Sequence, residues 1–254
     1  MAAGMFLSKV WLNTWLFSSF VVFTVVYTPI FAVVVAAGRL FSPGRVTMRR
    51  FRRAVRRYGR VLVFFLPLPF LRVVYHDKGK ADTQDKGPYV IICNHRSSSD
   101  PFLMACLPYE VVQVVNDWPF RLPFLGAFAR WAGYLSVKEM PPEEFAARCK
   151  YYLEKGVSLV VFPEGTRSGN RRMGQFHGAI FRVALEMPVP IIPLCISGNE
   201  DKPPKGSVLV NPGVIRIIKL PAIGPRQYAG YAPFKLKNLV RDIIVQETAI
   251  MDGQ

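Results

Sequence analysis

Two short apolar runs that empty into polar, reactive turns constrain the fold of this chain more than any other feature. Val90-Ile91-Ile92-Cys93 ends in Asn94-His95-Arg96-Ser97-Ser98-Ser99-Asp100-Pro101. Ser158-Leu159-Val160-Val161-Phe162 ends in Pro163-Glu164-Gly165-Thr166-Arg167-Ser168. Continuous apolar runs of this length, bounded by turn residues, read as strands buried on both faces. Further strands are expected at Val111–Val115, Tyr134–Val137, Val189–Ser197 and Val214–Leu220. Helices are expected at Pro101–Leu107, Arg121–Ala132 (with Phe124, Leu125, Phe128 and Trp131 on one side), Glu143–Lys155, Gly178–Glu186 and Pro233–Thr248. Strands that alternate with helices give an α/β fold, here a mixed, largely parallel sheet flanked by helices. In such open sheets ligands bind outside the carboxyl ends of the strands. Both turns are therefore expected at one site.

The charge divides the chain into two parts. Residues 1–76 contain no Asp or Glu, and they carry +11 of the formal net charge of +16 as Lys9, nine Arg between Arg39 and Arg60, and Arg72. Ahead of that Arg cluster, Val10 to Gly38 is uncharged for 29 residues. It lacks the small-residue cleavage site of a secretory signal and is longer than one. About 20 apolar residues span a bilayer, so its length suffices. Pro29 and scattered Ser, Thr and Asn also permit a kinked segment that dips into one leaflet and returns. Residues 1–71 thus read as an N-terminal membrane-anchoring helical segment with an Arg-rich collar, and 72–254 as the α/β catalytic domain. Arg beside an apolar anchor attracts anionic lipid headgroups and marks the cytoplasmic flank, with a bacterial inner membrane as the expected compartment. Nucleic acid is not the expected partner: the cluster abuts an anchor, and no base-stacking platform follows it. Cys93, Cys106, Cys149 and Cys195 show no paired C-x-x-C spacing. They read as reduced, buried thiols of a cytosol-facing domain. His76, His95 and His177 lie far apart, so no metal site is expected.

His95 and Asp100, five residues apart, suit a turn whose carboxylate reaches back to the imidazole. Such a carboxylate fixes the tautomer and supports the imidazolium after proton uptake. Asp100-Pro101 is also a good start for a helix, so the pair alone is a weak signal. With the second turn it gains meaning. Over about residues 70–225 the chain resembles the glycerolipid acyltransferase family typified by lysophosphatidic acid acyltransferase. The resemblance rests on Asn94-His95-x-x-x-x-Asp100, Gly133-Tyr134-Leu135-Ser136-Val137-Lys138, Phe162-Pro163-Glu164-Gly165-Thr166-Arg167 and Val189-Pro190-Ile191-Ile192-Pro193-Leu194, in that order. Three positions depart from the pattern. Lys138 stands where Arg is typical, Asn116-Asp117-Trp118 precedes Pro123-Phe124-Leu125-Gly126 where Lys is usual, and His177 stands before Gly178 where Lys is common.

The resemblance implies a membrane-bound O-acyltransferase. His95 would be the general base and Asp100 its orienting carboxylate. Glu164, Gly165 and Thr166 would shape the acceptor loop, Arg167 would bind an acceptor phosphate, and Lys138 would add a second positive charge. The donor would be a thioester of acyl carrier protein or coenzyme A, a co-substrate, with no cofactor. The acceptor would be 1-acyl-glycerol-3-phosphate, giving phosphatidic acid. The departures fall on phosphate-binding positions, so a lyso-aminolipid or glycolipid acceptor stays open. A thioester hydrolase and a non-catalytic lipid-binding protein are the other classes. The absence of a G-x-S-x-G elbow fits direct transfer without an acyl-enzyme.

Overall fold

A computed structural model describes residues 2–41, 44–79, 87–121 and 125–253. In chain order the elements are α1 (Ala2–Phe41), α2 (Gly44–Phe64), β1 (Leu71–Asp77), β2 (Val90–Cys93), α3 (Asp100–Leu103), β3 (Val111–Val115), α4 (Leu125–Ala132), β4 (Leu135–Ser136), α5 (Pro142–Glu154), β5 (Ser158–Val161), α6 (Ala179–Glu186), β6 (Ile191–Ser197), β7 (Gly213–Lys219) and α7 (Pro233–Asp252). The strands form one sheet in the order β1-β7-β6-β2-β5-β3-β4. β6, β2, β5, β3 and β4 are mutually parallel; β7 runs antiparallel to β6, and β1 runs parallel to β7. The mixed, largely parallel sheet is the one expected.

Alternation along each strand builds two cores, one per face. Val90, Ile92, Leu159 and Val161 point to the side covered by α5, α6 and α7. Ile91, Cys93 and Val160 point to the other side, where Leu12 of α1 and Val63 of α2 complete the packing. All four cysteines are free and buried. Burial raises the Cys106 and Cys149 thiols to about 12, which keeps them protonated and inert.

Several boundaries shift from expectation. The helix after Asp100 is a single turn that tightens into a 3-10 turn at Met104–Cys106. Residues 122–124, including Phe124 of the expected stripe, lie outside the described residues. Of the remainder, Phe128 packs near Phe31 and Phe51, whereas Trp131 is 63% exposed. β1 was not expected. It mixes Arg72 and His76 with apolar residues, which reads as no clean period, yet it is an edge strand with one neighbour.

The N-terminal apolar run forms one helix that packs on α2. Among the described residues one helix, at Leu7–Val34, is long and apolar enough to cross a membrane. Pro29 does not interrupt it. On either side of that proline, Tyr27 donates a hydrogen bond to the Ala54 carbonyl at 2.9 Å and Phe31 packs at a tilt against Phe51, 5.1 Å between ring centroids. These contacts hold α1 on α2 across the missing N–H. The Arg collar is split by the same packing. Arg52 donates to the Ala132 carbonyl and the Glu110 carboxylate at 2.8 Å each. Arg56 donates to the Leu107 and Tyr109 carbonyls. Spaced four apart, these two face inward, while Arg53, Arg57 and Arg60 lie exposed. Arg52 and Arg56 are thus ties to the body, and the exposed Arg49 also lies 3.6 Å from the Glu110 carboxylate.

Candidate active site

Register brings the two turns together. Ile92 pairs with Val161, and His95 and Glu164 each lie three residues beyond that pair. Asn94 fixes the exit of β2 by bracketing Ile196 of β6: its side chain donates to the Ile196 carbonyl at 2.9 Å and accepts the Ile196 N–H at 2.8 Å. His95 then turns back, and its Nδ1 meets Asp100 Oδ2 at 2.7 Å. Asp100 is fully buried. Its Oδ2 also accepts the N–H groups of Arg96 at 2.8 Å and Ser97 at 2.9 Å, and its Oδ1 accepts a hydrogen bond from the Asn199 side chain. Backbone donors and an amide are what a buried carboxylate needs in place of water. The His95 ring lies tilted against Phe162, 4.8 Å between centroids, and its Nε2 has no partner among the described residues. Bonded to Asp100 through Nδ1–H, the imidazole presents Nε2 as a proton acceptor.

Glu164 braces the His95 turn rather than facing outward. It is 7% exposed. One oxygen accepts the His95 N–H and the other accepts the Gly174 N–H, both at 2.7 Å. Burial pushes its carboxyl pKa up; the two N–H bonds pull against that without cancelling it. The loops are laced further by Ser168 N–H to the His95 carbonyl at 2.9 Å and Gly169 N–H to the Arg96 carbonyl at 3.2 Å. Gly165 sits at φ +70°, and a Cβ there would come within 3.1 Å of the His177 ring. A left-handed residue under an aromatic ring calls for glycine. Thr166 is exposed, and Arg167 is half-buried with no ion-pair partner among the described residues. A guanidinium left without a carboxylate, on the turn laced to His95 through Ser168, is available to an anionic ligand.

Lys138 follows β4 at the same edge, exposed. Three strand spacings separate β4 from β2, or about 14 Å, so the fold does not bring Lys138 to the dyad. Of the serines, Ser97 donates to the Lys202 carbonyl at 3.1 Å, a structural role. Asn116, where Lys was expected, caps the Asp117 N–H. Sequence reasoning missed Asn199. The signal was present, because β6 is a third apolar run that ends in a polar turn, Ser197-Gly198-Asn199.

A mostly apolar cavity of about 230 Å³ opens beside the His95–Asp100 turn. It reaches from Ser98 and Phe102 to Phe31, Val55 and Phe128, between α1 and α2 on one side and β3 and α4 on the other.

The acyltransferase family model matches residues 72–197. The 1-acyl-sn-glycerol-3-phosphate acyltransferase of Salmonella typhimurium is 26% identical over 234 residues, which cover 90% of this chain and 89% of that protein. The chloroplastic 1-acyl-sn-glycerol-3-phosphate acyltransferase BAT2 of Brassica napus is 31% identical over 135 residues, 52% of this chain. The chain spans about two fifths of the length of the chloroplastic relatives, 39% for BAT2 and 38% for its Arabidopsis thaliana counterpart. The crystal structure of the 1-acyl-sn-glycerophosphate acyltransferase PlsC from Thermotoga maritima superposes with a TM-score of 0.78 at 18% identity, covering 96% of this chain and 95% of that one. At that identity the likeness is one of fold. The matched segment runs from β1 through β6 and encloses both reactive turns, and the chain belongs to the acyltransferase family that includes the lysophosphatidic acid acyltransferases.

Proposed function

We propose that the protein transfers a fatty acyl group from a thioester of acyl carrier protein or coenzyme A to the free hydroxyl of 1-acyl-glycerol-3-phosphate. The observation that carries this reading is the His95–Asp100 bond at 2.7 Å, at the sheet edge where Nε2 is left to meet a hydroxyl. Nε2 takes the hydroxyl proton as the oxygen attacks the thioester carbonyl. The tetrahedral adduct collapses, the C–S bond breaks, and His95 returns the proton to the leaving sulfur, which departs as a thiol and leaves the imidazole neutral again. Asp100 keeps the tautomer and supports the imidazolium between those events. Arg167 holds the acceptor phosphate. The cavity beside Phe102 takes an acyl chain, each buried CH₂ contributing about 0.8 kcal/mol. The test is purified protein with an acyl thioester and a panel of lyso-phosphatidate, lyso-aminolipid and lyso-glycolipid acceptors, with products identified by mass. Phosphatidic acid is the expected product. Free fatty acid alone would instead mean a hydrolase, and acylation of only a phosphate-free acceptor would move the assignment to that lipid.

Arg167→Ala is expected to raise the KM for a phosphate-bearing acceptor by about 10–100-fold, because a hydrogen bond to a charged group contributes about 1.5–3 kcal/mol. The thioester KM should stay within about twofold. Arg167→Lys should restore part of the loss, since the charge returns without the fork. An unchanged acceptor KM with a raised donor KM would assign Arg167 to the other substrate.

α1 lies in one leaflet, parallel to the membrane surface. Its contacts with the rest of the chain extend from Asn13, bonded to Val210, to Phe31, beside Phe51. That is about 27 Å of helix, close to the whole hydrocarbon thickness of about 30 Å. A crossing helix would draw the Arg-rich α2 into the hydrocarbon with it. The opposite face of α1, with Trp11, Val22, Val26 and Val33, is exposed and apolar and suits lipid tails. The catalytic edge then faces the cytoplasmic headgroups. Replacing Arg53, Arg57 and Arg60 by Gln should weaken binding to anionic vesicles by at least about tenfold, at roughly 1 kcal/mol per Arg. Binding to neutral vesicles should be unchanged, and high salt should reproduce the loss in the parent. Vesicle flotation at low and high salt measures this; parent-like binding at every salt concentration would remove these three Arg from the headgroup contact.

A further inference from the structure

We infer that Asp252, in the last turn of α7, is a positioning residue for the catalytic turn and acts through Arg96. The inference rests on the acyl-transfer reading above. α7 supplies no group to the reaction. Its buried stripe of Leu236, Val240, Ile244, Thr248 and Met251 fixes where its final turn ends, against β6. There the Asp252 carboxylate takes both arms of the Arg96 guanidinium, Nη1 to Oδ1 and Nη2 to Oδ2, at 2.7 Å each. Ser197 donates to the same Oδ1 at 2.7 Å. Burial pushes the Asp252 carboxyl pKa up, but the Arg96 and Ser197 bonds outweigh it and hold the group below the usual carboxylate range. Glu200 approaches Arg96 at 3.3 Å and is itself tied to Arg171 at 3.1 Å.

Arg96 is 3% exposed and stands between His95 and Ser97. Its own N–H donates to the Asp100 oxygen that holds His95, and its carbonyl accepts Gly169 N–H from the second turn. The same residue thus touches both catalytic loops with its backbone and α7 with its side chain. A buried ion pair contributes little net stability compared with apolar residues of the same volume. A two-armed planar contact, however, fixes direction as well as distance. Asn199 steadies the other Asp100 oxygen from the turn after β6. Asp100 is therefore held in orientation from two elements that carry no reacting group.

The experiment compares the parent with Asp252→Asn, Asp252→Glu and Ser197→Ala in the full chain. The first readout needs no substrate: the far-downfield NMR proton of the His95 Nδ1–H bond to Asp100. It should shift or broaden in Asp252→Asn and return in Asp252→Glu. The second is turnover. In Asp252→Asn kcat should fall about 10–100-fold, as for lost outer-layer partners of a reacting group, with both KM values within about twofold. The third is a His95→Ala background, in which Asp252→Asn should add less than about a twofold further loss, because residues acting as one unit are not additive. Should Asp252→Asn fail to fold, Ser197→Ala decides: it removes one hydrogen bond to the Asp252 carboxylate while Arg96 keeps both of its own, and it should lower kcat about two- to tenfold with KM unchanged. A parent-like kcat, a loss confined to KM, or an equal proportional loss in the His95→Ala background would overturn the inference. A parent without transferase activity would overturn the acyl-transfer reading instead, and the NMR proton would still decide the role of Asp252.

Discussion

His95→Ala should lower turnover about 10²–10⁴-fold, the usual worth of a positioned general base, while the protein folds and binds membranes as before. The local structure explains why these two outcomes separate. The His95 side chain makes one hydrogen bond, to Asp100. When the ring is removed, the Asp100 carboxylate keeps the Arg96 and Ser97 N–H groups and the Asn199 amide. No buried polar group is orphaned, and the ring was already 17% exposed. Asp100→Asn differs in kind. An amide there turns an NH₂ toward donors at one of its two ends, so the turn loosens as well as the ring. Its turnover should fall about as far as that of His95→Ala, and unlike His95→Ala it should also unfold at a lower temperature. Turnover with a soluble short-chain acceptor, measured beside thermal unfolding, distinguishes the two variants. Parent-like turnover by His95→Ala would sink the mechanism.

The parts of the site that were readable in the sequence are those whose signal is local. β2 and β5 are buried on both faces, so their residues are apolar without interruption, and the polar turns after them stand out. His95 and Asp100 belong to one turn, and their pairing follows from five residues of chain. Glu164 was visible as part of a block, but its task was not. A carboxylate that accepts the His95 N–H from 69 residues away leaves no periodic trace. The same holds for Asn199, 99 residues from Asp100, and for Asp252, 156 residues from Arg96. The inward turn of Arg52 and Arg56 was hidden for another reason. A stripe of Arg on an amphipathic helix has the composition of a solvated face, and only the Ala132, Leu107 and Tyr109 carbonyls that receive these guanidiniums show otherwise. Edge strand β1 mixes charged and apolar residues because a single neighbour imposes a weak pattern.

Glu164→Ala should be the most damaging single change outside the dyad, and it should damage stability as well as rate. The carboxylate receives two backbone N–H groups, from His95 and Gly174, one on each oxygen. Removing it leaves both donors without a partner, at about 1–3 kcal/mol for each group that stays dry. The loss to folding is therefore about 2–6 kcal/mol, the smaller value if water enters the vacated space. Glu164→Gln retains one acceptor and turns an NH₂ toward the other N–H. It should cost about half as much in stability, with turnover down about 10–100-fold. The pH dependence gives the sign. Burial raises the Glu164 pKa in the folded protein. A carboxyl raised by folding contributes stability that is present at low pH and lost as pH rises through the folded value. Acid therefore does not unfold the protein through this group. Turnover behaves oppositely, because only the ionised form can accept on both oxygens. As pH falls through the raised value, one of the two N–H bonds must break and the His95 backbone loosens. The parent should lose activity at a pH above the ordinary carboxylate range while its contribution from Glu164 to folding stability holds or grows. Glu164→Gln should lack the Glu164 share of that acid loss, since nothing remains at the position to titrate, while the share set by the need for an unprotonated general base stays. Turnover and thermal unfolding of the parent and Glu164→Gln across the mildly acidic range test both halves. An acid limb that persists unchanged in Glu164→Gln would remove Glu164 as its origin.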